Sequence, residues 1–499
     1  MDIHELDTFM LIGSAVLLAA ILAVRLSVGV GFPSLLVYLG IGVALGSSFI
    51  GIPFSDADLA HSLGFAALIL ILAEGGLTTK WTQMKPTMGL GILLATVGVV
   101  VSVAVVAVAA HYALGLSWQF AILLGAVMSP TDAAAVFSVL RRVPVKRSVM
   151  GTLETESGFN DAPIVLIVTA VSAGTANDHS PLVFALIIVV ELIAGGVVGF
   201  VVGYLGAMSM RSIALPASGL YPIAALAFAM LAYAGTAVLH GSGFAAVYVA
   251  ALVLGNADLP HRAATRSFAE GIGWLAQIGL FIMLGLLATP TTIKTWHVWA
   301  AVVAGAILTF VARPVSVWVC AVWRRTSWRD QTFLAWAGLR GAVPIVLTTI
   351  PLADDIEHAL DLFNIVFVFV IIYTLVQAPS LSWSARVLGI TTDLAQDVDV
   401  EAAPLERVSA DLLQVHVPDR SRLVGVEIGE LRLPAGSSVA LIVRSTETWV
   451  PDRATRIQAD DDLLVVAPRS VRERTERRLR EVARHGRLAG WYDDGSVES

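Results

Sequence analysis

Apolar residues in this chain run in long blocks, without the strict alternation of strands or the one-face stripe of a soluble helix. A helix that crosses a bilayer needs about 20 consecutive apolar residues. Blocks of that kind fall near residues 8–25, 32–53, 62–79, 87–113, 117–140, 149–173 and 181–209. Six more lie near 217–238, 241–256, 270–288, 295–322, 331–352 and 360–386, the shortest break being His240-Gly-Ser-Gly243. The pattern predicts an all-α polytopic membrane protein, with about thirteen spans over residues 1–390. An odd number places the two termini on opposite sides. Past Ile390 the rhythm changes. Residues 391–405 are acidic and Ala/Pro-rich and read as a linker. Residues 406–468 then alternate in strand fashion through Leu412–Val417, Ser438–Val443 and Asp462–Val466, which predicts a small α+β domain. Residues 469–499 read as a basic helical tail, with seven Arg against three Glu over 470–487. A solvated helix is the plain reading of that tail; contact with an anionic leaflet is the alternative.

Composition sharpens the class. The chain has 499 residues, 57% hydrophobic and 14% charged, whereas soluble domains are about 45–50% apolar and about 25% charged. An ordinary soluble enzyme is excluded. The net charge of −7 says less than the placement of the basic residues. Fourteen fall in alternate loops: Arg25, Lys80, Lys85, Arg141, Arg142, Lys146, Arg147, Arg211, Arg262, Arg266, Arg324, Arg325, Arg329 and Arg386. The intervening loops hold Lys294 alone. Basic residues mark cytoplasmic loops, so the expected topology in the cell membrane has the N-terminus outside and the C-terminus in the cytoplasm. Met1 leads into acidic Asp2-Ile-His-Glu-Leu-Asp7, which is not the basic start of a cleaved signal peptide. The one cysteine, Cys320, allows no disulfide framework.

Ionisable groups inside spans are costly and mark function by default. The densest cluster is Glu154-Thr-Glu156-Ser157-Gly-Phe-Asn160-Asp161, in the sixth span. On a helix, Asn160, Ser157, Asp161 and Glu154 fan across one broad arc from Glu156. Asp161 is followed by an apolar run to Val171, so it sits inside the span and not at a solvated end. The fifth span contains Met128-Ser-Pro130-Thr131-Asp132, where proline breaks the helix. Broken backbone at membrane depth is tolerated only where it is buried in protein or lines a cavity. The twelfth span is interrupted in the same way at Gly338-Leu-Arg340-Gly-Ala-Val-Pro344. Paired broken helices point to a secondary transporter with inverted repeats; here the repeats would be spans 4–6 and 11–13. Arg340 offsets the acidic cluster. Glu191 and the Arg313-Pro314 pair carry lower weight, Arg313 as a snorkelling or structurally paired residue. His111, His179 and His240 read as interfacial, and Trp296, Trp299, Trp318, Trp323 and Trp328 as belt residues. No phosphate-binding glycine loop, His/Cys metal cluster or nucleophile elbow is present in the sequence, so an enzyme is not expected.

The strings Ser129-Pro-Thr-Asp132, Glu156-Ser-Gly-Phe-Asn-Asp161 and Gly338-Leu-Arg-Gly-Ala-Val-Pro344, with Leu72-Ala-Glu-Gly-Gly-Leu77 upstream, have a shared order and spacing. Together they strongly resemble the monovalent cation/proton antiporter family 1, the sodium– or potassium–proton exchangers that include the NhaP type. The resemblance implies that Asp161 binds either the cation or a proton, with Ser157 and the Thr131 backbone completing the ion shell. It further implies that Asn160 and Asp132 shape the crossing, that Glu156 pairs with Arg340, and that Glu74 lies near the ion path. Homodimers are the family's usual state. Residues 406–468 look like the C-terminal TrkA-C domain of potassium-conductance regulators, which resembles the potassium/proton branch and makes a cytosolic nucleotide ligand plausible. That branch often has proline directly after Asn-Asp; here Ala162 intervenes before Pro163. The expected function is exchange of K⁺, or alternatively Na⁺, for H⁺, one to one, with no cofactor and no nucleic-acid partner. A channel gated by the C-terminal domain is the reading from another class, but no TVGYG-type filter is found.

Overall fold

The computed structural model describes residues 3–30, 33–52, 54–140, 143, 145–178, 180–213, 215–324, 326–391, 399–404, 410–419, 421–445 and 447–486. The chain divides into two units, Met1–Thr391 and Thr392–Ser499. His179, the basic residues Arg141, Arg142 and Arg325, most of the expected linker and the tail beyond residue 486 lie outside the described residues.

The first unit is helical. Among the described residues, seven helices are long and apolar enough to cross a membrane: Ala57–Thr78, Met88–Leu114, Pro181–Ser212, Leu220–Val238, Arg262–Leu287, Thr295–Ala321 and Ala359–Val387. Side-chain oxygens cap several starts. Asp56 accepts from the Leu59 amide, Ser117 from Phe120, Ser180 from Val183, and Ser327 from Asp330, each satisfying a backbone donor that the first turn leaves orphaned. Helix Pro181–Ser212 turns Leu186, Val190, Ile193, Val197 and Phe200 outward. Its buried Gly195, Gly199 and Gly203 recur every fourth residue on the other face. They let helix Gly243–Asn256 approach backbone to backbone: a methyl at Gly203 would meet Ala250 Cα at 3.0 Å. Such small-residue seams drive helix association where lipid removes the hydrophobic incentive.

Two of the expected spans are interrupted helices. Helix Trp118–Met128 stops at Ser129, whose hydroxyl donates back to the Gly125 carbonyl at 2.6 Å. The chain resumes as Ala133–Leu140, with the Asp132 carboxylate accepting from the Ala135 amide at 3.1 Å. Helix Trp328–Trp336 likewise stops, and helix returns at Val343–Leu347 with Pro344 in its first turn, where its missing amide hydrogen costs nothing. Two continuous spans carry π-helical turns, at Leu94–Gly98 and Leu308–Ala312. Near these turns, Ser102 and Ser316 hydroxyls share a 2.8 Å hydrogen bond, and Ser316 donates to the Gly98 carbonyl at 2.9 Å.

The second unit is an antiparallel five-stranded sheet in the order β1-β2-β5-β3-β4. Its strands are β1 (Asp399–Pro404), β2 (Ala410–His416), β3 (Ser438–Arg444), β4 (Glu447–Trp449) and β5 (Asp461–Pro468). Along β5, Leu463, Val465 and Ala467 alternate inward and meet a core that includes Leu413, Val415 and Ile442. Two expectations are corrected here. The stretch read as a linker contributes β1, which pairs along its length with β2 from Asp399↔His416 to Pro404↔Asp411. Its backbone supplies the pairing, so a hydropathy pattern gives it no signal. The basic stretch is also not a solvated tail over its described length. Helix Arg472–His485 buries Thr475, Leu479, Val482 and Ala483, three of which join the sheet's core. That stripe is narrow among the helix's six arginines, so the charge count obscures it.

Candidate cation and proton site

The two interruptions meet. The Asp132 amide donates to the Leu339 carbonyl at 2.8 Å, and Arg340 Nε donates to the Met128 carbonyl at 2.9 Å. Arg340 Nη1 also donates to the Gly338 carbonyl, and Thr374 donates to the Arg340 carbonyl at 3.2 Å. Carbonyls and amides freed by one break are thus satisfied by the other, as buried backbone requires. The crossing is tight at Gly341. A Cβ there would overlap the Asp132 carboxylate.

Helix Arg147–Ser172 passes beside the crossing and runs without interruption through Pro163. Asn160 donates from Nδ2 to Thr131 Oγ1 at 2.8 Å and to the Thr131 carbonyl at 3.4 Å, tying this helix to the first break. One residue on, Asp161 is 5% exposed, and its Oδ1 is buried with no hydrogen-bond partner among the described residues. A buried carboxylate without compensation is costly as an anion. It becomes tolerable when a proton or a cation joins it.

Asp161 faces a cavity of about 280 Å³. One wall carries Thr131, Asp132, Glu154, Ser157, Gly158, Asp161, Ala342 and Val343, from the crossing and helix Arg147–Ser172. The facing wall carries Glu74, Thr78, Tyr248, Gln277 and Phe281, from helices Ala57–Thr78, Gly243–Asn256 and Arg262–Leu287, with Lys80 following the first of these and Gln83 on the short helix Trp81–Met84, which packs against Gly151 of helix Arg147–Ser172. Oxygen ligands therefore converge on one space: four carboxylates (Glu74, Asp132, Glu154 and Asp161) and the Thr131 and Ser157 hydroxyls. Glu74 accepts weakly from Thr78 at 3.4 Å. Towards the other end of helix Ala57–Thr78 the walls touch. His61 Nδ1 lies 3.2 Å from Thr349 Oγ1, and a methyl at Gly64 would meet Val346 at 3.1 Å.

Of the residues singled out from sequence, Asp161, Ser157, Thr131, Asp132, Glu74 and Glu154 share the cavity, and Asn160 supports it from behind. Glu156 does not reach it. It is 1% exposed and bound to Arg313, with Nη1 to Oε1 at 2.5 Å and Nη2 to Oε2 at 3.2 Å. Arg313 Nη2 also donates to the Leu334 carbonyl at 3.1 Å. The expected Glu156–Arg340 pair is thus replaced by Glu156–Arg313, because Arg340 spends its donors on the carbonyls of the two breaks. The sequence signal for Arg313 was an arginine inside a span; nothing in the sequence pointed to Glu156, far away along the chain, as its partner. Tyr248, Lys80, Gln83 and Gln277 were missed. A tyrosine and a glutamine inside apolar helices were the available hints. Glu191 lies away from the cavity, and its carbonyl accepts from the Ser242 amide.

The family model described as "Sodium/hydrogen exchanger, transmembrane" matches residues 13–387, and that of the TrkA-C domain matches residues 412–480. A K(+)/H(+) antiporter NhaP of Alkalimonas amylolytica is 34% identical over 469 residues, covering 92% of this chain and 81% of the relative. A K(+)/H(+) antiporter NhaP2 of Shewanella baltica is 30% identical over 507 aligned positions, covering 100% of this chain and 88% of the relative. Among solved structures, the sodium proton antiporter MjNhaP1 of Methanocaldococcus jannaschii superposes with a TM-score of 0.66 at 22% identity, over 77% of this chain and 98% of that one. Matched from residue 13 to residue 387, and ending in a TrkA-C domain, the chain belongs to the sodium/hydrogen exchanger family.

Proposed function

We propose that the chain is a secondary antiporter of the cell membrane that exchanges K⁺, in preference to Na⁺, for H⁺ by alternating access. The observation that carries this reading is the buried Asp161 carboxylate, whose Oδ1 has no hydrogen-bond partner among the described residues, in the wall of a cavity between two groups of helices. A cation entering past Lys80 and Gln83 binds Asp161 and displaces its proton. After the walls shift, a proton from the other side displaces the cation. The contacts His61–Thr349 and Gly64–Val346 close that other side in this state. Asn160 is an amide, so the Asn160-Asp161 pair offers one titratable group and one cation exchanges for one proton. The K⁺ preference rests on relatives named as K⁺/H⁺ antiporters and on the TrkA-C domain.

The same reading takes the thirteen helical spans with the N-terminus outside, in a homodimer surrounded by lipid. Spans 4–6 and 11–13 are inverted repeats, supported by one π-turn and one broken helix in each set. The chain transports and performs no covalent catalysis, and its C-terminal domain adjusts the rate in response to a cytosolic ligand such as a nucleotide. Proteoliposomes loaded with K⁺, Na⁺ or Li⁺ test the reading through cation-driven pH change. K⁺ should give the largest response, with a null point indifferent to membrane potential. The half-saturating cation concentration should rise as pH falls, because protons compete for the same carboxylate. No response to any cation would overturn the reading; a larger Na⁺ response would reverse the preference.

A further inference from the structure

Gly158 lies one turn before Asp161 on the same cavity wall, and the ring of Tyr248 fills the space a side chain would occupy there. A Cβ at Gly158 would overlap the end of the ring, with Cε2 at 2.6 Å. Tyr248 is 2% exposed and stands edge-on to Phe159, with centroids 5.0 Å apart. Its own helix is fastened to the opposite wall by backbone contact. A methyl on Gly76 of helix Ala57–Thr78 would meet the Tyr248 carbonyl at 2.8 Å and the Leu252 amide at 2.9 Å. Tyr248 is therefore anchored to the Glu74 wall, its ring packs on Gly158 and Phe159 of the Asp161 wall, and its hydroxyl lies 3.9 Å from Met84 Sδ. Relative movement of the walls shifts the ring on Gly158.

We propose that the match between the Tyr248 ring and the bare Gly158 is what allows the walls the register of this structure, with Asp161 accessible from the cavity, which makes Tyr248 a positioning residue for the exchange cycle. This rests on the alternating-access reading above. A side chain at 158 denies the seat. The ring is confined by Phe159, so it must either turn into the cavity or push the walls out of this register. Both outcomes reduce access to Asp161. Ring and glycine are thus matched, and truncating the ring should cancel the harm of filling the glycine.

The test uses the full chain with a cysteine introduced at Gln83, on the cavity wall, since native Cys320 is buried. Two readouts are followed: labelling of that cysteine by a membrane-impermeant maleimide, and the maximal rate and cation half-saturation in proteoliposomes. Gly158→Ala should slow labelling and lower the maximal rate about tenfold, the scale of an overpacked contact biasing a two-state equilibrium. Adding Tyr248→Ala should return both readouts most of the way to the parent values. A general packing defect would be worsened by the second truncation. The proposal is overturned if Gly158→Ala matches the parent in both readouts, or if the double variant is as impaired as Gly158→Ala. Labelling needs no ion flux. A parent chain that exchanges no cation would defeat the functional reading while labelling still decides the register contact.

Discussion

Replacing Arg313 by alanine tests the electrostatic core most sharply. Arg313 and Glu156 face each other as a fork, at 2.5 and 3.2 Å, with 3% and 1% exposure. Removing one member of such a pair strands the other as an uncompensated buried charge, at ~3–5 kcal/mol. The Leu334 carbonyl also loses its Nη2 donor, worth about 1 kcal/mol more. Arg313→Ala should therefore destabilise the protein by about 4–6 kcal/mol. Glu156→Gln alone should cost less but still strand a guanidinium. In the double variant the stranded charge is gone, so the losses should fall short of additive by about 2–3 kcal/mol. Thermal or denaturant unfolding of detergent-purified protein, followed by tryptophan fluorescence, reads all four corners of the cycle. The parallel cycle between Arg340→Ala and Glu156→Gln should give a smaller coupling, because Arg340 is held by the Met128 and Gly338 carbonyls. Additivity for Arg313, or a larger coupling for Arg340, would refute the pairing.

Three further outcomes follow. Gly341→Ala places a methyl against the Asp132 carboxylate at the crossing; it should cost about 1–3 kcal/mol and impair exchange severely, and wild-type exchange rates would contradict the tight crossing. Leu479→Ala removes a fully buried side chain from the C-terminal domain and should cost ~2–5 kcal/mol; limited proteolysis of the full chain should then cut that domain faster, whereas an unchanged pattern would return helix Arg472–His485 to a solvated tail. A chain ended after Thr391 keeps the Lys146 amide bonded to the Ile390 carbonyl and the Val145–Thr391 bridge. It should still exchange ions with a shifted pH profile; profiles that superimpose, with and without nucleotides, would make the domain an assembly element.

What the sequence revealed and what it hid divide along physical lines. Burying a charge in a membrane is costly, so Asp161 stands out against its apolar neighbours, and a proline marks each break in the sequence itself. Those signals are local. Partner choice among several buried charges is not, and Glu156 met Arg313 because Arg340 was already committed to backbone carbonyls. The Tyr248–Gly158 contact was hidden for the same reason: a glycine's empty space has no meaning until the residue that fills it is known. In the C-terminal domain, alternation exposed β2, β3 and β5. β1 was invisible because its place in the sheet comes from backbone pairing with β2.

The most direct test of the shared carboxylate is proton release on cation binding. Purified protein in weakly buffered detergent solution is titrated with K⁺ while pH is monitored, beside Asp161→Asn prepared identically. If one carboxylate alternates between proton and cation, the native chain should release about one proton per cation bound, at a pH where the site is protonated. Asp161→Asn, folded and membrane-inserted, should release none and should exchange none in proteoliposomes. Cation-driven proton release that survives in Asp161→Asn would place the exchanging group elsewhere and contradict the mechanism at its centre.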